Sequence, residues 1–326
     1  MKIVTHSRLN MQTTLTDSPE EAAAILKSGR IVAFPTETVY GLGAGIYHLE
    51  AIRKIFQAKG RPGDNPLIVH IYSLEQLAEV ACDINPEARK LIACFFPGPL
   101  TLVLKKNSLV PDAATAGLPT VGVRCPSNPV AREFLRLSGC PVAAPSANLS
   151  GLPSATSWEA VYKDLDGKID CVLRGNPSSI GLESTIVDCS GSKPVLLRAG
   201  AITFEQLQAV VPEIATNSNT DKHAPPKSPG LKYPHYAPKA AIVLCHADEI
   251  NGGLLPSSAY IGLSAPPEGI SRFKLCLNLE EYGRELFSFF RTCDAEDIDT
   301  IYCELPSNQG FGRAIRDRLM RAAGKK

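Results

Sequence analysis

The chain has 326 residues, 44% of them hydrophobic and 21% charged, with a formal net charge of +1. That length allows two cores, and a charge so near zero excludes a strong overall field for nucleic acid or an anionic membrane, so any anion binding must be local. Apolar runs such as "LIACFF" (91–96) and "AAIVLC" (240–245) fall far short of the roughly 18 residues of a membrane span, and the N-terminal "MKIVTHSRLNMQTTLTDSPEE" has no secretory h-region, so a cytoplasmic protein is expected.

In chain order, "SPEEAAAILKSG" predicts a helix with Ser18 as N-cap, Pro19 at the first position, Glu21 closing a capping box and Gly29 as the stop. A short buried strand follows in "IVAFP" (31–35). "GLGAG" (41–45) lacks the third glycine of a dinucleotide turn and reads as a generic glycine turn. "LEAIRKIFQAKG" predicts a helix with Ala51, Ile52, Ile55 and Phe56 on one face, and "LIVHIY" (67–72) a strand. "PEARKLIACFF" is helical up to Pro97-Gly98, and "LTLVL" (100–104) is a strand. Strand "TVGVR" (120–124), helix "NPVAREFLRLSG", strand "PVAAPSAN" (141–148) and a helix near 157–165 come next.

"IDCVLR", "STIVDC" and "PVLLRAG" then follow closely as strands, with "SGSK" (190–193) as a hairpin turn. Consecutive strands without helices imply antiparallel pairs, so residues 14–211 should form an α/β domain with a mixed, twisted open sheet. Residues 212–239 carry prolines and small polar residues without period and read as a stiff linker. Strand-like "AIVLC", "AYIGL", "FKLCL" and "DTIYCEL" alternate with helical "EEYGRELFSFFRTC" and "GRAIRDRLMRAA", which predicts a smaller doubly wound, Rossmann-like α/β domain over 240–326. The ten cysteines contain no C-x-x-C and read as reduced, mostly buried thiols. The six histidines form no close pair suited to a metal, so no metal site of protein side chains is expected.

The sequence has no P-loop and no G-x-S-x-G elbow. What it offers instead is polar residues where loops leave strands and helices. Lys59, Arg61, Arg124 and Arg198 are accompanied by Thr36, Thr38, Ser146, Asn148, Ser154 and Ser184, a set suited to a polyanion plus a small polar ligand. Each element alone is weak, and Lys59 and Arg61 could simply suit a helix C-terminus.

The blocks "PTETVYGLG", "KGRPGDNPLIVHI", "SANLSGLPSAT" and "ESTIVD", with the pairs Lys59/Arg61 and Ser146/Asn148, resemble in order and spacing the YrdC-like threonylcarbamoyl-AMP synthases. "SPGLKYPHYAP" (228–238) resembles the linker of that family's longer, two-domain members, and "LRAG" departs from the frequent L-R-P-G at Ala199. The resemblance implies a nucleotidyltransferase that converts L-threonine, bicarbonate and ATP to threonylcarbamoyl-AMP and pyrophosphate, with Mg2+ arriving on the ATP and the product passing to the machinery that modifies tRNA. It implies an ATP subsite of Lys59, Arg61, Asn65, Thr120, Ser146, Asn148, Ser154, Arg198, His235 and Tyr236, with Lys59 and Arg61 catalytic. It implies a threonine subsite of Thr36, Thr38, His70, Arg124, Ala144 and Ser184. The Tyr- and His-bearing linker is expected to act as a lid. Two rivals carry less: hydrogenase-maturation carbamoyltransferases bring C-x-x-C zinc motifs that are lacking here, and a non-catalytic RNA- or nucleotide-binding module would suit a more basic chain.

Overall fold

Two β-sheets carry the fold. The computed structural model describes residues 12–216, 236–246, 257–266, 268–270 and 272–324. From the N-terminus the strands are β1 (Thr14–Thr16), β2 (Val32–Phe34), β3 (Gly41–Gly45), β4 (Ile68–His70), β5 (Ala81–Cys82), β6 (Leu100–Lys106), β7 (Thr120–Arg124), β8 (Val142–Ala144), β9 (Cys171–Leu173), β10 (Thr185–Asp188), β11 (Val195–Arg198) and β12 (Ala215–Thr216). Between them lie α1 (Pro19–Lys27), α2 (Leu49–Lys59), α3 (Leu77–Val80), α4 (Pro86–Phe95), α5 (Asp112–Thr115), α6 (Pro129–Ser138), α7 (Trp158–Leu165) and α8 (Phe204–Val210). The strands form one mixed sheet in the order β1-β9-β2-β3-β8-β4-β7-β6-β10-β11-β12, with β5 paired to β6 outside that path.

Three local expectations change. "GLGAG" is strand β3, antiparallel to both β2 and β8. Its glycines make room rather than a turn: a Cβ at Gly41 would lie 2.9 Å from Phe34 Cζ, and one at Gly43 2.7 Å from Val142 Cγ1. Strands β9 and β10, consecutive in sequence, do not pair, because β9 lies parallel between β1 and β2 while β10 lies across the sheet beside β6. The antiparallel hairpin is β10–β11 around 190–193. Finally, the Glu21 carboxylate accepts from Thr16 Oγ1 at 2.5 Å instead of capping Ser18 N, which donates to that same hydroxyl. The full capping box is that of Thr203 and Gln206 on α8.

Alternation along the central strands divides the sheet into two faces. Val69, Leu102, Val121, Val123, Ala143 and Val187 belong to the main core beneath the sheet. On the opposite face the register sets His70 beside Arg124, and Ile186 beside both Thr101 and Arg198. Gly122, in the middle of β7, adds no side chain to that floor. Polar and cationic residues on a sheet face need solvent, a protein partner or a ligand.

The second sheet consists of β13 (Ala241–Cys245), β14 (Ser258–Gly262), β15 (Arg272–Leu275) and β16 (Thr300–Glu304), all parallel, in the order β13-β16-β14-β15. Helices α9 (Leu279–Ala295) and α10 (Gly312–Ala322) cover the face formed by Ala259, Ile261, Ile301 and Cys303. This core does not stop at the domain: Val39 and Leu182 of the first domain join it, together with Tyr236. The strand β12 carries the first sheet to residue 216, a little into the expected linker. Residues 217–235 of that linker, with Tyr233 and His235, lie outside the described residues.

The domains approach closely at Gly181, whose φ is +80° and where a Cβ would lie 2.4 Å from Arg284 Cα in α9. Gly181→Ala should therefore cost more than the roughly 1–2 kcal/mol of a left-handed non-glycine residue, because the opposing atoms are helix backbone. Thermal unfolding by circular dichroism should show a lowered Tm. Gly191→Ala, which meets nothing within 4 Å, should leave the Tm unchanged.

Candidate functional site

The sheet face bearing the cations forms the floor of a cleft. Its wall includes Thr36, Thr38, His70, Arg124, Ala144, Ser184, Arg61, Ser146, Arg198 and Tyr236 from the expected site, with Glu183. The loops that close it are tied to strands: Leu42 N donates to Pro145 O, and Ala147 N to Tyr40 O. The Tyr40 hydroxyl donates to Gly175 O at 3.0 Å.

At one end sit the K-x-R and S-x-N pairs. Helix α2 ends at Lys59 with Gly60 in the left-handed conformation, so the C-cap explanation holds for the backbone. It does not explain the side chains. Lys59 is buried behind the wall, and its ammonium donates to the carbonyls of Ser146 (2.6 Å) and Asn148. The two pairs thus grip each other, with Ser150 N returning a bond to Lys59 O. Burial, and then the Arg61 charge, push the Lys59 ammonium well below its ordinary pKa. Arg61 lies on the wall and donates to the Asn65 and Pro66 carbonyls at 3.3 Å. Burial lowers its pKa to about 10. Asn65 is buried, and both atoms of its amide lack a hydrogen-bond partner in the structure.

Arg198 ends β11 and donates through Nε to Ser184 O and through Nη2 to Ser184 Oγ, at 3.1 and 3.2 Å. Tyr236 faces the same region in a left-handed conformation (φ +72°), unusual for an aromatic residue, with its ring stacked on Phe287 of α9 at 5.3 Å.

At the other end Arg124 donates to Thr38 Oγ1 at 2.7 Å, and Thr36 Oγ1 binds Thr38 Oγ1 at 2.9 Å. Arg124 Nη2 lies 2.7 Å from Glu37 Oε1, yet the approach is not aligned as a hydrogen bond, and Arg124 Nε and Nη2 and both Glu37 oxygens are buried without one. Burial is the largest single influence on Glu37 and opposes its ionisation, but the Arg124 guanidinium and nearby backbone donors together outweigh it and hold the carboxyl below its usual value. His70 is buried with its ring edge-on to Phe34, and Nδ1 lies 3.2 Å from Ile68 O. Burial, with the Arg124 charge second, lowers the His70 pKa to about 3. Its imidazole is therefore neutral at physiological pH.

Some expected residues stand off the wall. Thr120 opens β7, at the opposite end of the strand from Arg124. Asn148 turns its amide to the Leu149 and Leu152 carbonyls, at 2.8 and 3.0 Å. Ser154 donates to Glu183 Oε1 at 2.5 Å. His235 lies outside the described residues. Two carboxylates, Glu37 and Glu183, are buried at the site but have no role in the sequence reading. They stand inside "PTETVYG" and "ESTIVD", where an acid flanked by hydroxyl residues gives no signal of burial. What this wall can do chemically is hold anions at both ends, orient them and exclude water.

The family described as "Telomere recombination" matches residues 24–200, and that described as "Threonylcarbamoyl-AMP synthase, C-terminal domain" matches residues 202–324. The threonylcarbamoyl-AMP synthase of Pyrococcus abyssi is 42% identical, with 93% of each chain covered. That of Bacillus subtilis is also 42% identical, over 95% of this chain and 94% of the relative. In three dimensions the chain matches the crystal structure of P. abyssi Sua5 complexed with L-threonine, with a TM-score of 0.86 at 37% identity over 96% of this chain and 97% of that one.

The depressed His70 pKa has a defined consequence for stability. Between pH 6.5 and about 3 the unfolded chain binds a proton at His70 that the folded chain does not, so stability is complete above pH 6.5 and falls as the pH is lowered. At about 1.4 kcal/mol per pKa unit, the loss by pH 4 is on the order of 3 kcal/mol. His70→Gln should therefore lose less Tm than the parent between pH 7 and pH 4 in parallel scans. Equal losses would show that His70 does not titrate this way.

Proposed function

The chain belongs to the threonylcarbamoyl-AMP synthase family, and from that membership and the cleft we propose that it acts as a nucleotidyltransferase, condensing L-threonine, bicarbonate and ATP to threonylcarbamoyl-AMP and pyrophosphate. The product would pass to the transfer machinery that modifies tRNA. The observation that carries this reading is the separation of cations on one wall, with Arg124 among hydroxyls at one end and Arg61 and Arg198 at the other. A guanidinium with unaligned donors beside Thr38 suits the carboxylate of an amino acid. The half-buried Arg61 and the buried Arg198, both on the wall with Tyr236, suit a polyphosphate.

The chemistry asks for positioning more than for a protein nucleophile. The threonine amine and bicarbonate yield a carbamate and water. A carbamate oxygen then attacks the α-phosphorus, and the bond to the bridging oxygen breaks, so that pyrophosphate leaves with the electron pair. Arg61 and Arg198 would stabilise charge on the phosphates, and magnesium carried in on the nucleotide would share it. Lys59 would act one step back, holding the Ser146–Asn148 loop at the correct height. The neutral His70 would line the amino-acid end without competing for its carboxylate. A closed cleft protects a carbamate that loses CO2 and a mixed anhydride that hydrolyses. All ten cysteines are free thiols, which suits a reducing cytoplasm.

Pyrophosphate release from ATP should depend on both threonine and bicarbonate, and release without either would overturn the reaction. Arg124→Lys keeps the charge but loses the fork, so the threonine KM should rise about 10–100-fold, the equivalent of a charge-assisted bond of about 1.5–3 kcal/mol. The ATP KM should change much less. Equal changes in both would remove Arg124 from the threonine end.

A further inference from the structure

Helix α10 of the second domain sends one side chain into the site's supporting structure. Arg318 is fully buried. Its Nε donates to Glu183 Oε2 at 2.7 Å, and its Nη2 to the carbonyls of Ala199 (3.0 Å) and Glu183 (3.4 Å). Nη1 donates to Asp317 at 2.6 Å, and the guanidinium carbon lies 5.5 Å from the Tyr236 ring centroid. Three segments of the cleft therefore meet on this one residue. Glu183 precedes Ser184, to which Arg198 is bonded, and Ala199 follows Arg198. These two segments are pressed together at Gly200, where a Cβ would lie 2.4 Å from Thr185 N. The turn after Arg198, where the sequence has Ala199, is thus fastened by a residue of the other domain.

We propose that Arg318 is a positioning residue of the synthase site: by neutralising and holding Glu183, it keeps the Arg198 charge directed at the nucleotide phosphates. The inference rests on the reading that Arg198 meets those phosphates. The buried Glu183 carboxylate interacts electrostatically with both arginines. Arg318 and Ser154 satisfy its two oxygens. With Arg318 removed, the buried cation left beside the uncompensated carboxylate among the described residues is Arg198.

The test separates this charge role from simple domain fastening. Arg318→Met should raise the ATP KM at least tenfold while the threonine KM moves less than threefold. Adding Glu183→Gln removes the carboxylate that captures Arg198, so the double variant should recover most of the lost ATP affinity even though more interdomain bonds are gone. Arg318→Lys, which keeps the charge, should stay within threefold of the parent. A double variant worse than Arg318→Met, or a parallel rise in both KM values, would reduce Arg318 to a structural bolt and overturn the proposal. If Arg318→Met does not fold, the double variant and Arg318→Lys decide alone: ATP KM within threefold supports it, and a tenfold rise in either overturns it. Arg198→Ala, measured alongside, separates the two levels. An unchanged ATP KM there would fail the phosphate reading itself, whereas a raised one with a silent Arg318→Met fails only this inference.

Discussion

Like charges gathered in a place with little water set the terms for the rest of this molecule. Lys59, Arg61, Arg124, Arg198 and Arg318 are at least partly buried, and the pKa values of Lys59, Arg61 and Arg198 are all driven down by that burial. Unpaired charges in such surroundings would cost several kcal/mol each. The structure answers with two buried carboxylates, one for each end: Glu37 beside Arg124, and Glu183 beside Arg318 and Arg198. Lys59, Arg61 and Arg198 also hold backbone carbonyls, a weaker compensation that leaves positive potential facing the cleft. A catalyst for anionic substrates gains from such incomplete neutralisation, because the missing counter-charge is what its ligands bring.

The same constraint accounts for the way the two domains are joined. An ordinary interface could slide, but here α9 and α10 each send an arginine into the first domain. Arg318 fastens the segments at 183 and 199, while Arg291 binds Asp164 through both terminal nitrogens, at 2.9 and 2.7 Å, and Pro153 O at 2.5 Å. Asp164 also accepts from Leu149 N, on the loop that Lys59 braces. The shared apolar cluster supplies the bulk of the contact, and the close approach at Gly181 fixes its depth. The second domain is thus built into the site's support and is more than an appendage on a tether.

Most of the elements were legible because local physics specifies them. Proline at the first helical position with Asn or Ser as N-cap marks α1, α4 and α6, and alternation or short apolar runs mark the strands. Strand β3 was illegible for a physical reason: its glycines serve the Phe34 ring and Val142 across the sheet, and such long-range packing leaves no local trace. Strand order escaped in the same way, since β9 and β10 part company only when the sheet assembles. At the site, the cations and hydroxyls were visible as motifs, but the direction of each side chain was not. Lys59 and Arg61 are two residues apart, yet one braces a loop behind the wall and the other faces the cleft.

Arg318 marks the limit of a motif-based reading. It sits in "GRAIRDRLMRAA", one of four arginines on an amphipathic helix, and nothing in that segment distinguishes it. Arg321 on the same helix pairs with Asp317 within its own turn of surface, as helical spacing dictates. Arg318 also touches Asp317, but its remaining donors reach across 119 to 135 residues of sequence to Ala199 and Glu183. The distinction arises only from which face of α10 meets the first domain, and that face is chosen by Ile315 and Leu319 entering the shared core. Hydrophobic burial thereby selects the arginine that becomes buried, and the buried arginine must then find a carboxylate. Packing in one domain comes in this way to govern charge in the other.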